Sequence, residues 1–311
     1  MLDFMKFQLN VSSPEQLNER IPFKGTVSML TGEVDAVYRA QVENLDLILV
    51  GNRLIVSGSM HKYYNRVNLK GDHNHDDFTI EAFRLAVKHL ADRLGEDIYR
   101  AAVINLEVGV NIQMTQNVTS ILDNCVISHQ YDLPSTNKVF GQKGRFIVFK
   151  RKEYWMKVYD KGRQYGQPDQ ILRVEVKFKT RAIIQKNGIW ELADLLKVSS
   201  WVSLAKALLQ RANKLLIIDS IDTAHVLNTD DKLFLLERLN PLFWSRSSGI
   251  TGNKKRKQRA KFLETLRMYS FLNLKDEIMS KSIEKIAVLC SGSEVKDQIG
   301  HYIYLHKRNV A

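Results

Sequence analysis

Two carboxylates and a phenol on alternating apolar and polar segments could perform chemistry on a phosphate. Glu107 and Glu175 each stand on the polar face of such a segment, and Tyr159 shares a face with Lys157 on a third. Because residues i and i+2 of a strand point to the same side, these side chains can converge on one sheet surface. Two hard oxygen ligands suit Mg²⁺ or Mn²⁺, which would polarise a phosphate for attack by the phenol. The pattern therefore predicts a metal site at Glu107 and Glu175, with Tyr159 as a nucleophile that attacks DNA.

Cations beside these groups would support the same chemistry. Lys161 follows Tyr159 by two positions, and its charge could lower the pKa of the phenol from about 10. Arg173 precedes Glu175 by two positions and could offset charge on the phosphate as it reacts. The same residue types also form ordinary solvated cross-strand pairs on an exposed sheet face. Spacing alone leaves both interpretations open.

A sheet must position these residues, and the first half of the chain has the pattern of one. Gly51-Asn52 alone separates two apolar segments, which predicts a two-residue hairpin connection that needs positive φ. Within residues 101–113 apolar and polar residues alternate without a break. The predicted strands are residues 3–9, 25–30, 34–43, 46–50, 53–57, 101–113, 145–151, 154–160 and 171–179.

Helical spacing marks one segment in the first half and most of the chain after residue 180. Residues 78–94 carry apolar side chains at helical intervals, with Asp77 or Thr79 as a cap and Gly95 at the end. Further predicted helices are residues 190–197, 201–216, 231–239, 254–268 and 275–290. The expected fold class is α+β, an antiparallel sheet domain with helices on one face (residues 1–228), followed by a small helical domain (residues 229–311).

Composition limits the class of protein. The chain has 311 residues, 44% hydrophobic and 26% charged, which excludes intrinsic disorder as the main state. Lys and Arg number 46 against 34 Asp and Glu, a net charge of +12. A surplus of this size attracts polyanions, and nucleic acid is the commonest such partner. The charge therefore predicts a nucleic-acid-binding protein.

Membrane insertion, secretion and zinc binding are not expected. No apolar run approaches the roughly 20 residues that span a bilayer, and the opening MLDFMKFQLN lacks the pattern of a secretory signal. Cys125 and Cys290 stand far apart without the spacing of a zinc site, so we expect both to be buried and reduced. These observations predict a cytoplasmic protein without a membrane partner.

A basic run opens one of the predicted C-terminal helices. It contains Lys254, Lys255, Arg256, Lys257 and Arg259, and a helix and a glycine-containing loop precede it. Such a helix-turn-helix-like unit could place its cationic first turn on DNA phosphates. Cations at a helix start oppose the helix dipole, and an anionic partner would compensate them. A solvated basic patch is the alternative.

The sequence around Tyr159 resembles a known family. Val158-Tyr159-Asp160-Lys161 and Leu172-Arg173-Val174-Glu175-Val176 are similar to the Tyr-Asp-Lys and Leu-Arg-x-Glu segments of rolling-circle replication initiators, specifically the filamentous-phage initiators and related plasmid initiators. Residues 54–65 resemble the family's strand and Gly-Ser-x-x-Lys-aromatic motif, and residues 106–111 resemble its acidic nicking-site strand. Residues 262–274 resemble the family's C-terminal helix and turn.

The resemblance implies a DNA-nicking enzyme with a divalent metal, Mg²⁺ or Mn²⁺. Tyr159 would attack one strand of a phage or plasmid origin and become joined to the 5′ phosphate, and a host polymerase would extend the free 3′ hydroxyl. Glu107 and Glu175 would hold the metal, and a host helicase would assist. Predicted DNA contacts outside the basic run are Lys62, Tyr63, Lys157 and Lys177. A mobilisation relaxase and a non-enzymatic DNA-binding regulator remain as alternatives.

Two histidines in a polar loop offer a second possible metal site. His73 and His75 flank Asn74, and acidic residues surround them. Paired histidines of this kind bind metal in many nicking enzymes, but there they flank an apolar residue on a strand. A solvated loop that leads into the helix cap is the alternative interpretation.

Overall fold

The computed structural model describes residues 1–27, 29–32, 35–139, 144–221, 226, 228–245, 249–290 and 299. The fold class is α+β, as predicted. The strands are β1 (Leu2–Asn10), β2 (Val37–Val42), β3 (Leu45–Val50), β4 (Arg53–Ser59), β5 (Ala102–Gln113), β6 (Val126–His129), β7 (Thr136–Val139), β8 (Arg145–Lys150), β9 (Tyr154–Asp160), β10 (Ile171–Phe178) and β11 (Leu215–Ile217). The helices are α1 (Pro14–Arg20), α2 (Met60–Val67), α3 (Ile80–Leu94), α4 (Val118–Ser120), α5 (Lys161–Gln164), α6 (Arg181–Gln185), α7 (Val198–Asn213), α8 (Thr229–Leu239), α9 (Gly252–Met268) and α10 (Asn273–Leu289).

The chain divides into two compact units. The first contains Met1–Gly109, Lys177–Ala205 and Val288–Gly292, and the second contains Val110–Val176, Lys206–Ala287 and Ser293–Ala311. β5, β10, α7 and α10 contribute residues to both units. The predicted domain boundary at residues 228 and 229 stays a prediction.

The first unit packs helices on one face of an antiparallel sheet. Its strands lie in the order β2-β3-β4-β1-β5. On β1 the side chains of Met5 and Phe7 are buried, whereas Phe4, Lys6 and Gln8 on the alternate face are half-buried. The α2 helix packs on β1 and β4, as expected for a period-two pattern with one apolar face. This arrangement confirms the predicted sheet with helices on one face.

Local signals in the first unit correctly predicted a hairpin and a helix. Val50 pairs with Arg53, so two residues connect β3 to β4, and Gly51 adopts a φ of 56°. At the start of α3 the Thr79 hydroxyl accepts a hydrogen bond from the Ala82 backbone N–H over 3.2 Å. Gly95 ends the helix with a φ of 70° in the left-handed region, where glycine has no steric penalty.

The Gly58-Ser59 sequence at the end of β4, directly before α2, has a structural explanation. A Cβ atom at Gly58 would lie 2.7 Å from the carbonyl oxygen of Asn44, so only glycine allows the two backbones to approach this closely. The next residue, Ser59, caps α2 by accepting a hydrogen bond from the Lys62 backbone N–H over 3.1 Å. The Ser59 hydroxyl donates in turn to the carboxylate of Asp3. The motif therefore fixes the direction in which α2 leaves the sheet.

The second unit contains the strand order β5-β10-β9-β8-β7 and a separate pair formed by β6 and β11. Register shows that β7, β8 and β9 run antiparallel, which confirms the predicted hairpin of residues 145–160. The helices of this unit share a core in which Trp244, Phe262 and Leu266 are fully buried together with Leu216. The second unit therefore contains both a sheet and the basic helix α9.

Three segments differ from the sequence prediction. Residues 25–30 do not form the predicted strand where they are described, and residues 29 and 30 lie in a turn. The preceding residue, Lys24, forms an isolated bridge to Arg39. Residues 33 and 34, where the next predicted strand begins, lie outside the described residues. Residues 192–196 form a 3₁₀ helix, because the Asp194 carboxylate accepts from the backbone N–H groups of Trp190 and Glu191 and tightens the turn. The predicted helix 201–216 instead spans Val198–Asn213, and β11 follows it.

The paired features expected from composition are the state of the two cysteines and the lack of a membrane-spanning helix. Cys125 and Cys290 are free and buried, as predicted. Burial raises the pKa of the Cys290 thiol to about 11, so the reduced, neutral form is favoured. Within the described ranges, no helix combines the length and the hydrophobicity that crossing a bilayer requires.

His129 in β6 should make stability depend on pH. Its ring is fully buried, and Nε2 donates to the carbonyl oxygen of Arg211 over 3.2 Å. Burial and the nearby charge of Arg151 lower the pKa of His129 to about 3. Between that value and about 6.5 the unfolded chain binds one more proton than the folded chain, so the free energy of unfolding decreases as pH falls.

We expect His129→Gln to remove this dependence. Urea unfolding of the wild type between pH 4 and 6 should include a slope of about 1.4 kcal/mol per pH unit that the variant lacks. Above pH 7 the difference between the two proteins should be constant, because the imidazole is then neutral in both states. Equal slopes below pH 6 would contradict the burial of a neutral histidine.

Candidate active site

The phenol of Tyr159 and the carboxylate of Glu175 meet on neighbouring strands of the second unit. Tyr159 lies in β9 and Glu175 in the adjacent strand β10. The Tyr159 hydroxyl donates a hydrogen bond to Oε2 of Glu175 over 3.3 Å. Both residues are buried, with 8% of Tyr159 and 1% of Glu175 exposed. The structure therefore brings together the predicted nucleophile and one of the two predicted carboxylates.

Two cations hold the Glu175 carboxylate. Lys157 Nζ lies 2.7 Å from Oε1, and Arg173 Nε lies 2.7 Å from Oε2. Burial alone would raise the pKa of Glu175, but these two charges outweigh it and hold that pKa well below its usual range. Since two cations surround one carboxylate, these three side chains carry a net positive charge beside the phenol.

Asn111 fixes the position of the Arg173 guanidinium. Arg173 Nη1 donates to the side-chain oxygen of Asn111 over 2.9 Å, while its Nε is occupied by Glu175. Asn111 lies in β5, which neighbours β10. Sequence reasoning placed this residue on a polar strand face but gave it no role. Only the adjacency of β5 and β10, which the sequence does not show, identifies it as the support of Arg173.

Phe146 packs against the ring of Tyr159. The two residues lie directly opposite each other in the register of β8 and β9, and their ring centroids are 5.1 Å apart with a tilt of 50° between the planes. Such an aromatic pair restricts the rotation of both side chains. Phe146 therefore keeps the Tyr159 hydroxyl directed at Glu175, a contact that the sequence analysis missed.

The chain turns sharply after Tyr159, and Asp160 makes that turn. The Asp160 carboxylate accepts from the Arg163 backbone N–H over 2.9 Å and from the Thr119 hydroxyl over 3.2 Å. It therefore caps the short helix α5. A Cβ atom at Gly162 would lie 2.1 Å from the carbonyl oxygen of Asp169, so glycine is required there. The aspartate of the Tyr-Asp-Lys segment thus has a structural role next to the predicted nucleophile.

Lys161 lies between two aromatic rings. Its Nζ is 5.5 Å from the ring centroid of Tyr159 and 5.0 Å from that of Tyr165, and only 1% of the residue is exposed. The charge therefore lies over the ring faces, where cation–π attraction holds it. The sequence placed Lys161 near the phenol but did not identify Tyr165 as the second ring.

The predicted metal site does not fit the residues of the second unit. Each oxygen of Glu175 is already in contact with a cation, so a divalent ion there would face two positive charges. Across the ranges that the structure describes, no group of three His, Cys, Asp or Glu residues is placed to hold a metal ion. The metal role of Glu175 stays a prediction, and no chemical step is derived through a metal.

Glu107 lies in the first unit, where its carboxylate forms an ion pair. Its Oε1 lies 2.9 Å from Nζ of Lys177, and the same ammonium group lies 4.5 Å from the ring centroid of Phe4. Lys177 keeps 20% of its side chain exposed. A metal role for Glu107 therefore stays a prediction, as does a DNA contact by Lys177.

The predicted DNA contacts at the start of α2 differ in exposure. Lys62 is partly exposed, with 27% of its side chain accessible, and pairs with Asp72 over 3.4 Å. Tyr63 is completely buried, and its hydroxyl is hydrogen bonded to Nδ1 of His89 over 2.8 Å. The predicted DNA contacts of Tyr63 and Lys62 both stay predictions, and contact with the Tyr63 ring would require DNA to displace the residues that bury it. Lys157 keeps 12% of its side chain exposed beside Glu175.

The basic run of α9 separates into exposed and buried cations. Lys255 is 4% exposed, and its Nζ donates to the carbonyl oxygen of Ser245. Arg259 donates to the carbonyl oxygens of Gln130 and Lys214 over 2.9 and 3.2 Å. These two cations anchor the helix through backbone carbonyl groups, and their predicted contacts with DNA phosphates stay predictions. The side chains that remain exposed are Lys254, Arg256 and Lys257.

Polar contacts anchor the loop with His73 and His75 to other residues of the first unit. Asn74 donates to the Asp3 carboxylate over 2.6 Å, and only 5% of it is exposed. His73 Nδ1 lies 3.3 Å from the Asp76 carboxylate. The polar residue between the two histidines is thus a structural anchor, which explains why it is not apolar.

Comparisons with known proteins give little further information. No family model matches the sequence, and no curated protein matches it. A solved structure described as a rolling circle replication initiator protein from Geobacillus stearothermophilus is 13% identical, with a TM-score of 0.41. The similarity covers 78% of this chain and 96% of that chain.

Proposed function

We propose that this chain is a rolling-circle replication initiator that nicks one strand of a phage or plasmid origin. The observation that carries the proposal is the contact between the Tyr159 hydroxyl and the buried carboxylate of Glu175, flanked by Lys157 and Arg173. These residues lie on the segments that resemble the Tyr-Asp-Lys and Leu-Arg-x-Glu motifs of such initiators. The net charge of +12 supports a polyanionic substrate.

The proposed reaction is an attack of the tyrosine oxygen on a DNA phosphate. A bond forms between the Tyr159 oxygen and phosphorus, and the bond from phosphorus to the 3′ oxygen breaks. The 5′ end remains joined to Tyr159, and the departing 3′ oxygen takes up a proton and becomes the hydroxyl that a host polymerase extends. Lys157 and Arg173 offset the charge that develops on the phosphate.

Glu175 orients the phenol in this proposal. Because its pKa is held well below its usual range, the carboxylate is a weak base at neutral pH, and the phenol proton passes to solvent. The hydrogen bond from Tyr159 to Oε2 still restricts where the hydroxyl points. Lys161 acts on the ring of Tyr159 as a positioning residue.

A covalent adduct tests the proposal directly. The purified protein is incubated with supercoiled DNA that carries the origin, and the products are separated in SDS before and after protease treatment. We expect nicked circles with protein attached to the 5′ end of the cut strand. The absence of an adduct on origin DNA, on transfer-origin DNA and on single strands alike would exclude nicking by this chain. An adduct on transfer-origin DNA alone would identify a mobilisation relaxase instead.

The exposed cations of α9 are expected to bind origin DNA. Changing Lys254, Arg256 and Lys257 to glutamine removes up to three phosphate contacts, each worth roughly 0.9 in the slope of log affinity against log salt. The slope should therefore fall by up to about 2.7, and binding at low salt should weaken. Fluorescence anisotropy of labelled duplex at several salt concentrations measures both quantities.

A control of equal charge makes this test specific to the helix. The exposed residues Lys24, Lys88 and Lys186 lie on other segments, and their change to glutamine lowers the net charge by the same amount. We expect a smaller change in slope for this control. Equal slopes for the two triple variants would mean that α9 contributes only to the overall charge.

A DNA-binding regulator without nicking activity is the second candidate function. The observation in its favour is the burial of Tyr159, whose hydroxyl is occupied by Glu175. Nicking therefore requires the DNA to displace side chains that cover the phenol. The adduct experiment separates the two candidates, because a regulator binds origin DNA without forming a covalent bond.

A further inference from the structure

The first unit contains a cleft that the proposed nicking reaction does not use. It encloses about 490 Å³, a size within the range of small-molecule sites. Its walls come from the end of α1, the turn between β2 and β3, and the outer sides of α2 and α3. Ile21, Val42 and Val67 supply apolar surface, and Gln41 supplies an amide.

Two arginines line this cleft without carboxylate partners. Arg20 and Arg93 are exposed, and among the described residues neither lies within 4.0 Å of an acidic oxygen. Other cations on neighbouring helices are paired, as Lys88 is with Asp92 and Arg66 with Asp72. A Cβ atom at Gly95 would lie 2.6 Å from Cζ of Arg20, so that guanidinium rests against the C-terminal end of α3, the helix that carries Arg93. Both arginines therefore lie at the C-terminal end of α3, Arg93 within its last turn and Arg20 against Gly95.

Tyr63 and His89 form a hydrogen-bonded pair that lines the same cleft. Burial raises the pKa of Tyr63 to about 12, so its hydroxyl keeps its proton. The hydroxyl is hydrogen bonded to Nδ1 of His89 over 2.8 Å. His89 is exposed and lines the cleft, so its second ring nitrogen is available to contact a ligand.

Glu43 gives the cleft an acceptor as well. It lies in the turn after β2 with a φ of 55°, and its carboxylate is close enough to raise the pKa of Tyr63. A simple anion would be repelled by this charge and would leave the apolar wall and the Gln41 amide unused. A ligand with a phosphate at one end and N–H or O–H donors at the other satisfies both the arginines and Glu43.

We propose that this cleft binds a nucleotide, with its phosphate on Arg20, Arg93 and His89 and its sugar or base toward Glu43. The nucleotide is either free in solution or part of a single DNA strand, since both present the same phosphate and donor groups. The proposal concerns the first unit and is independent of the nicking reaction assigned to Tyr159.

Calorimetric titration of the full chain tests the proposal with defined probes. These are a 5′-deoxymononucleotide, the matching nucleoside, inorganic phosphate and a trinucleotide. We expect Arg93→Gln to weaken nucleotide binding by about tenfold or more, since a hydrogen bond to a charged group is lost. Lys88→Gln on the same helix removes an equal charge outside the cleft and should bind as the wild type does. Arg20→Gln provides a second variant on a different element.

The probes also distinguish the source of the nucleotide. Binding of the mononucleotide that depends on Arg93 indicates a free nucleotide, whereas binding of the trinucleotide alone indicates a DNA strand. Glu43→Gln should reduce the preference for nucleotide over inorganic phosphate. Tyr159→Phe should leave all these affinities unchanged, so that failure of the nicking proposal does not affect this one. Equal binding by Arg93→Gln and the wild type, or equal binding of nucleoside and nucleotide, would overturn the proposal.

Discussion

Replacement of Tyr159 by phenylalanine is expected to abolish strand cleavage and leave the fold intact. The variant lacks the oxygen that would join to DNA, so nicking should fall by roughly a thousandfold or more. The ring can still pack on Phe146, and the lost hydrogen bond to Glu175 should cost about 1 kcal/mol of stability. Conversion of supercoiled origin DNA to open circles measures cleavage, and circular dichroism measures the fold.

Tyr165→Phe is the matched control for this variant. Its ring also contacts Lys161, so the same oxygen is removed beside the same cation. We expect Tyr165→Phe to nick at close to the wild-type rate. If Tyr159→Phe produced open circles at the wild-type rate, Tyr159 would not be the nucleophile.

Glu175→Gln is expected to destabilise the fold strongly. The carboxylate compensates Lys157 and Arg173 in a buried site, and glutamine removes that negative charge. Removal of one member of a buried ion pair typically costs about 3 to 5 kcal/mol. Because the pKa of Glu175 is lowered in the fold, its stabilising effect is complete above about pH 4.3 and decreases as the pH falls below that value. Chemical denaturation of both proteins at neutral pH measures the difference.

The surface residue Glu237 provides the control variant for Glu175→Gln. Glu237 pairs with Arg238, and 63% of its side chain is exposed. Glu237→Gln should change the free energy of unfolding by less than about 0.5 kcal/mol, since water screens exposed pairs. Similar small losses for both variants would show that Glu175 is not the counterion of a buried charge cluster.

Alternation along single strands predicted which side chains share a face. It placed Tyr159 with Lys157 and Glu175 with Arg173, and the structure brings these four together in the second unit. Period two defines the face of a residue reliably because successive side chains point to opposite sides. This part of the candidate site could therefore be predicted from the sequence.

Neighbours across elements could not be predicted in the same way. The sequence paired Glu175 with Glu107 as metal ligands, but the partners of Glu175 in the structure are cations from β9 and β10. Helical spacing did not separate Lys255, which bonds to a carbonyl group, from the exposed Lys254 beside it. The sequence shows neither strand order nor the residue against which a side chain packs.

Short buried strands were missed for a related reason. β6 and β11 have only four and three residues, and burial along them does not alternate regularly. A segment of that length has no periodicity that separates strand from helix. The pairing of Leu215 with His129 makes these strands recognisable, and that pairing depends on distant parts of the chain.

The shared core of the helical segment limits how the basic helix α9 could be exchanged between related proteins. Leu216 and Val226 pack in one cluster with Trp244 and Phe262, and Arg259 ties α9 to Gln130. A recombination event that transferred only the chain from residue 229 onward would leave Trp244 and Phe262 without these partners. Exchange of this helix between related chains therefore requires that the strand β11 and the loop around Gln130 be inherited with it.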